Sequence, residues 1–279
     1  MRSIRWRRPA PGELPTLRRR LVEWPCDVGG AVRHMFALSC LDARGVEIAR
    51  VANVGDRWGI AVLHPARVLV PCGDAAVVAA AGIPTRRWRL LVGDAGPAQA
   101  VLDATEGGSG LIVHHQRFLT VEPDRVPAAV DLPDPGLRRA TRADIPVLAE
   151  LAVQLHVDDQ FGPDPGRSGL RGYQDRMARS VEQGLVWVVG PEGDPVLKIE
   201  RSVSSARWGV QLAGIVVRPD ARGAGLGGAA VAAAVRDALR GGAATPVSLH
   251  VRAAHTPALR AYATAGFVDR EEWRLAIRP

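Results

Sequence analysis

The chain has 279 residues, enough for two ordinary domains, and its hydrophobic content of 47% is that of a packed globular protein. Its net charge of +7 is carried almost wholly by arginine, Lys198 being the one lysine. No run of about 18 apolar residues is present, which excludes a membrane-spanning helix. The arginines are spread along the chain with only two tyrosines and four phenylalanines among them, which speaks against a nucleic-acid partner. GC-rich coding accounts for the arginine bias without any function, and an anionic cofactor accounts for it with one.

The start, from Met1 to Pro9, is basic but leads into no apolar segment, so no secretory leader is expected. Cys26, Cys40 and Cys72 are scattered without Cys-x-x-Cys spacing, which argues against a disulfide framework and against a metal site. These features predict a cytoplasmic protein, with no membrane partner.

In chain order, Leu14 to Trp24 reads as a helix, and Ile60 to Leu63 and Val68 to Val70 read as short strands. A helix follows from Asp74, a suitable N-cap, to Ala81. Trp88 to Val92 reads as a strand, Pro97 to Ala104 as a helix and Leu111 to Val121 as a strand. His114 and His115 are adjacent on that strand, point to opposite faces and so cannot share a metal. The segment Glu122 to Gly136 holds four prolines and few packing residues, which predicts a linker between domains 1–130 and 137–279.

Beyond it, Arg138 to Thr141 reads as a strand, with Thr141 placed to cap a helix from Asp144 to Leu155. A second helix is predicted from Leu170 to Gln183. Leu185 to Val189 and Val196 to Ser202 read as a β-hairpin, and Gly209 to Val217 as a further strand. Gly225 to Arg240 is an alanine-rich helix, Val247 to Val251 a strand, Pro257 to Ala265 a helix and Phe267 to Ile277 a terminal strand. No internal repeat is obvious, although two similar folds remain compatible with the sequence.

The strongest local signal runs from Ile215, Val216 and Val217 through Arg222, Gly223, Ala224, Gly225, Leu226, Gly227 and Gly228. A buried strand ends, a turn follows, and glycines open a helix whose first N–H groups are unpaired. Missing Cβ atoms admit a diphosphate to that backbone, and Arg222 adds a cationic fork. Gly223, Gly225 and Gly228 formally fit the dinucleotide pattern G-x-G-x-x-G. Against that reading, five residues separate strand and first glycine, and Val251 leads into Arg252 where a ribose-binding acid belongs. A Walker loop lacks its Gly-Lys-Ser/Thr. A plain helix start is a poor explanation for four glycines in six residues.

Arg222-x-x-Gly225-x-Gly227 after Val217-Arg218-Pro219 resembles the coenzyme A turn of the GNAT acyltransferase superfamily. The run from His255 through Ala258 and Tyr262 to Gly266-Phe267 is similar to that family's Asn-x-x-Ala-x-x-x-Tyr-x-x-x-Gly-Phe, with His255 standing for the asparagine. Arg139 to Asp144 resembles the family's first strand and helix. The whole chain further resembles tandem members with a degenerate N-terminal domain before an active one. Val196 to Glu200 and Val247 to Val251 carry that closer similarity.

The resemblance implies an α/β (α+β) protein of two GNAT-like domains, each a mixed, mostly antiparallel sheet flanked by helices. It implies acetyl-CoA as co-substrate and transfer of its acetyl group to a primary amine of a small metabolite or a protein, by direct attack, in a monomer or homodimer. The alternative is a non-catalytic acyl-CoA sensor. In the enzyme reading, the strand 209–217 pairs with the pantetheine amides and an N–H near Ile215, Val216 or Val217 polarises the thioester. Tyr262 aligns with the tyrosine that serves the leaving thiol, or else merely packs. His255 and Ala258 lie near the cofactor.

Lys198 and Glu200 share one face of a strand. Glu200 is a candidate to relay a proton from the amine through water, and the pair equally fits a plain ion pair. Gln211 is a further polar candidate for the acceptor, and Asp158 and Asp159, in an expected loop, are placed either to attract a cationic amine or to cap a helix.

Overall fold

The computed structural model describes residues 4–105, 110–240 and 247–278, so Met1 to Ser3 of the basic start lie outside the described residues. The chain parts into two compact units, Met1–Phe118 with Arg270–Pro279, and Leu119–Asp269.

In the first unit, α1 (Leu14–Val22), α2 (Gly30–Arg33) and α3 (Met35–Arg44) precede β1 (Ala49–Val54), β2 (Arg57–His64) and β3 (Val68–Gly73). Then come α4 (Ala75–Ala81), β4 (Leu90–Asp94), α5 (Ala95–Asp103) and β5 (Ile112–Val121), the last three residues of which belong to the second unit. β1, β2 and β3 pair antiparallel in order, and β3 pairs parallel with β4 across α4. Leu69, Val78, Trp88, Leu91 and Val101 form the core between this sheet and its helices. Asp74 caps α4 as expected, accepting from the Ala76 and Val77 amides at 3.0 and 3.1 Å. The sequence reading missed α3 because its buried Met35, Ala37, Leu38, Cys40 and Leu41 occupy most of its circumference, which leaves no amphipathic period to detect.

The second unit holds β6 (Leu137–Arg139), α6 (Ile145–Asp158), α7 (Gly166–Glu182), β7 (Val186–Val189), β8 (Leu197–Ser205) and β9 (Gly209–Val217). It continues with α8 (Leu226–Arg240), β10 (Val247–Arg252) and α9 (Thr256–Thr264). β6 to β9 pair antiparallel in sequence order, and β10 joins β9 in parallel. Alternation along the strands sorts the side chains. Leu197, Ile199, Val210, Leu212, Val247 and Leu249 pack with Ala230, Val231, Ala234 and Val235 of α8. On the other face, Val186 and Val188 meet Leu148 and Ala152 of α6 and Met177 of α7.

The terminal strand β11 (Val268–Ile277) pairs antiparallel with β4 through Trp273 to Ile277, so the chain's end belongs to the first unit. The order strand, antiparallel strand, helix, parallel strand, helix occurs in both units, as β2-β3-α4-β4-α5 and as β8-β9-α8-β10-α9. Each unit is thus a mixed, mostly antiparallel sheet with flanking helices. The expected linker is packed chain. Val126 and Leu132 bury against the second core, and Arg236 donates to the Pro127 carbonyl at 2.8 Å. Two short 3-10 turns, Pro123–Arg125 and Ala129–Asp131, carry it along that core, and composition alone could not tell this from a free tether.

The entry to α6 also differs from expectation. The Thr141 hydroxyl donates to Glu192, while buried Asp144 takes the Thr141 and Gly193 amides and both guanidinium nitrogens of Arg138 at 2.8–2.9 Å. Burial favours the protonated acid, but Arg138 and these amides outweigh it and hold the carboxyl at about 2. An acid with a depressed folded value stabilises above its unfolded value of about 3.9 and loses that contribution as pH falls toward 2. Asp144→Asn is expected to cost about 2 kcal/mol at pH 7, with the difference from wild type vanishing near pH 2. Urea melts at both pH values measure this, and an equal difference at both would refute the assignment.

Candidate functional site

The site is built along β9. Lys198 and Glu200 lie on the face of β8 opposite α8, as their spacing predicts, and both are buried, Lys198 completely. Lys198 Nζ donates to Glu200 Oε1 and, at 2.8 Å, to the carbonyl of Gly214 on β9. Arg176 of α7 donates to Glu200 Oε2 at 2.8 Å. Burial lowers the Lys198 ammonium from its ordinary value, with Glu200 opposing. Burial alone raises the Glu200 carboxyl, but Lys198 and Arg176 outweigh it and hold it below the usual range. A carboxylate engaged at both oxygens by cations takes up a proton poorly, which argues against Glu200 as the base and for the ion-pair alternative.

The β8–β9 ladder is irregular at this point. Lys198 faces Val216 and Glu200 faces Ala213, so β9 spends three steps where β8 spends two. Gly214 lies in this bulge with φ of +57°, a backbone that glycine adopts without strain. On the other edge, the parallel pairing of β9 with β10 runs from Val210 with Val247 to Leu212 with Leu249 and goes no further. The backbone of Ile215 to Val217 therefore leaves β10 at the level of the bulge.

Beyond Val217 the chain turns through Pro219 to Ala221 and enters α8 at Leu226. Gly223 and Gly225 have φ of +90° and +76°, and a Cβ on either would meet nothing within 4 Å. Ala224 between them is exposed. The first helical bond of α8 is Ala229 N–H to Gly225 O, so the preceding amides have no intrahelical acceptor. This is an open, donor-rich helix start that suits an anion. Gly228 serves differently. It is buried where α8 crosses α9, and a Cβ there would sit 3.2 Å from the Ala261 carbonyl, so its small size permits the helix contact. A Cβ on Gly227 would stand 3.6 and 3.9 Å from the side chains of Val217 and Ala261, an ordinary contact. Arg222 is partly committed, donating to Val217 O at 2.9 Å and to Asp158 at 2.7 Å.

On α9, Tyr262 is buried within the α8 core, its ring 6.1 Å from that of Phe267. Burial, with Asp159 nearby, raises its phenol well above the usual value. His255 is the N-cap of α9, its Nδ1 accepting from the Ala258 amide at 3.3 Å. This explains why histidine stands where asparagine was expected, since both side chains offer an acceptor to a helix start.

The remaining acidic and polar candidates are already partnered. Asp158 ends α6 and accepts from Gln154 and Arg222, while Asp159 accepts from Arg252 at 3.0 Å. Both carboxylates are held by arginines and tie α6 to the turn and to β10. Gln211 accepts from Ser202 at 3.1 Å and donates to Ser248 and His250 at 3.4 and 3.2 Å. Burial pushes His250 down to about 3, so it is a neutral acceptor in this network. The sequence reading missed Gly214 and Arg176. A lone glycine inside a strand is a bulge signal that could have found the first, whereas nothing local marks an arginine on α7 as the partner of a strand carboxylate.

The acetyltransferase (GNAT) family model matches residues 184–267, from the end of α7 to the start of β11. Comparison with curated proteins finds no match. Among solved structures, a GNAT-family acetyltransferase from Colwellia psychrerythraea shares 9% identity at a TM-score of 0.58, covering 99% of each chain. A GCN5-related N-acetyltransferase from Sphaerobacter thermophilus shares 17% at 0.58, over 100% of this chain and 97% of its own. One from Kribbella flavida shares 16% at 0.52, over 89% and 95%. At such identities the likeness is one of fold. Among the described residues no helix is long and apolar enough to cross a membrane, and no cluster of potential metal ligands occurs. The helix start opened by Gly223 and Gly225 and the parting of β9 from β10 both lie within the segment 184–267 that matches the acetyltransferase (GNAT) family model.

Proposed function

We propose that the chain is an acetyl-CoA-dependent N-acetyltransferase whose second unit carries the reaction and whose first unit is a GNAT-like fold without cofactor chemistry. The observation that carries this reading is the parting of β9 from β10 beside the glycine turn. The freed backbone of Ile215 to Val217 can pair with the amides of a pantetheine arm, and the amides opening α8 can hold the diphosphate. Acetyl-CoA supplies the thioester. We assign to Tyr262, kept protonated, the proton that goes to the departing thiolate, and to an N–H of Ile215 to Val217 the polarisation of the carbonyl; the proton that the attacking nitrogen sheds on acylation returns through water to the phenolate. With Glu200 committed to Lys198 and Arg176, the amine enters in its neutral form. The acceptor we favour is the primary amine of a small metabolite.

The first unit shows the parting, since β3 pairs with β4 only at Val68 with Leu90 and Leu69 with Leu91, but it lacks the open turn and an accessible strand edge. At the equivalent helix start, the Asp74 carboxylate fills the anion position on α4 and pairs with Arg57 at 2.7 Å. Between β3 and β4, a Cβ on Gly93 would sit 3.0 Å from Pro71 O and 3.2 Å from its ring. Proline also has no N–H to offer a ligand.

The test is thermal unfolding with and without acetyl-CoA, followed by thiol release with a panel of amines. At about 100 times its dissociation constant a ligand adds roughly 2.7 kcal/mol. We expect that stabilisation in wild type and its loss in Ala224→Glu, which sets a negative charge in the exposed turn without disturbing packing. Stabilisation without thiol release for any amine would favour a sensor, and no stabilisation would refute the proposal.

A further inference from the structure

The bulge in β9 has a support from outside its own strand, and this support concerns the proposed acetyl-CoA site on which the following rests. We propose that Lys198 is a positioning residue that fixes the peptide plane between Gly214 and Ile215 and so aims the Ile215 N–H along the open edge of β9.

The argument begins with hydrogen-bond accounting. A carbonyl in a bulge loses its ladder partner, and the Gly214 carbonyl takes its hydrogen bond from the Lys198 ammonium at 2.8 Å. The peptide unit is planar and trans, so the Gly214 C=O and the Ile215 N–H point in opposite directions within one rigid plane. Holding the oxygen therefore orients the amide. A buried ammonium also polarises the peptide it bonds, which makes the amide a stronger donor. Glu200 and Arg176 hold the ammonium in turn, since Glu200 Oε1 accepts from Lys198 and Oε2 from Arg176. β10 stops following β9 after Leu212, so the oriented amide belongs to the edge left open.

Residue choice agrees with this geometry. Lys198 is fully buried and is the one lysine in the chain. A compact ammonium fits between Glu200 and the Gly214 carbonyl, whereas a planar guanidinium needs more room and a forked acceptor. A plain ion pair with Glu200 would need no bond to the β9 backbone.

Lys198→Met keeps the length of the side chain but leaves Glu200 with one cation, which mixes loss of folding with loss of positioning. The decisive protein is the Lys198→Met/Glu200→Gln double variant, which removes both buried charges together. Amide hydrogen exchange and acetyl-CoA binding by calorimetry are measured on wild type and double variant, with melting curves to establish folding. We expect a folded double variant in which the amides of Ile215 to Val217 exchange about tenfold faster and acetyl-CoA binds about tenfold more weakly. Unchanged exchange at Ile215 together with unchanged affinity would overturn the proposal and leave Lys198 an ion-pair partner only. If wild type itself does not bind acetyl-CoA, the functional reading fails, while the exchange rates, which need no ligand, still decide whether Lys198 holds the bulge.

Discussion

Replacing Tyr262 with phenylalanine is expected to lower kcat about 100-fold while leaving KM for acetyl-CoA within about threefold. The expectation follows from where the phenol sits and what burial does to it. Tyr262 is buried in the α8 core, so its ring is held by packing that phenylalanine reproduces. Burial and the nearby Asp159 raise its proton affinity, so the hydroxyl is protonated throughout the neutral range. It is thus a competent proton donor to a thiolate and a poor base. A thiolate leaves more readily than an alkoxide, which places the loss near the lower end for general acids. The pH dependence separates this role from mere packing. The rise of kcat/KM with pH should follow the acceptor amine in both proteins, because the tyrosine titrates above that window. An equal kcat in the two enzymes would return Tyr262 to a packing role.

The second unit was legible because its signals are local. The hairpin of β7 and β8, the strand β9 and the alanine-rich α8 each announce themselves by alternation or composition, and the glycine turn sits between two of them. Gly223 and Gly225 have open space where a Cβ would stand, but Gly228, indistinguishable from them in sequence, packs against α9. A missing Cβ serves ligand approach and helix approach alike, and only the neighbour tells which. The charges were less legible for a related reason. Asp158 and Asp159 looked available until Arg222 and Arg252, more than sixty residues away in sequence, proved to be their partners. In an arginine-rich chain with no sequence rule for long-range pairing, an acid's freedom cannot be read from its own neighbourhood. The exchange of β11 into the first unit escaped notice similarly, since a strand's pattern states that it pairs but not with which strand.

Gly214→Ala is expected to cost about 2–5 kcal/mol and to abolish acetyl-CoA binding at concentrations that saturate wild type. Two effects combine. A residue with a Cβ at φ of +57° pays about 1–2 kcal/mol in backbone strain. The new Cβ would also stand 2.9 Å from Glu200 Cδ and 3.0 Å from Lys198 Nζ, too close for ordinary contact. A flexible side chain would swing aside, but Glu200 is fixed by Lys198 and Arg176, and Lys198 has no route to solvent. The strand or the buried pair must shift, at about 1–3 kcal/mol more for overpacking. Gly223→Ala is the informative contrast. Its backbone is also left-handed, at φ of +90°, but nothing lies within 4 Å, so strain alone should appear, about 1 kcal/mol. Urea melts and calorimetry on both proteins separate the causes. Equal losses would mean that backbone strain governs both glycines and that the Lys198–Glu200 pair yields easily. A larger loss at Gly214, with binding gone, would mean that a rigid buried pair sets the shape of the strand that meets the cofactor.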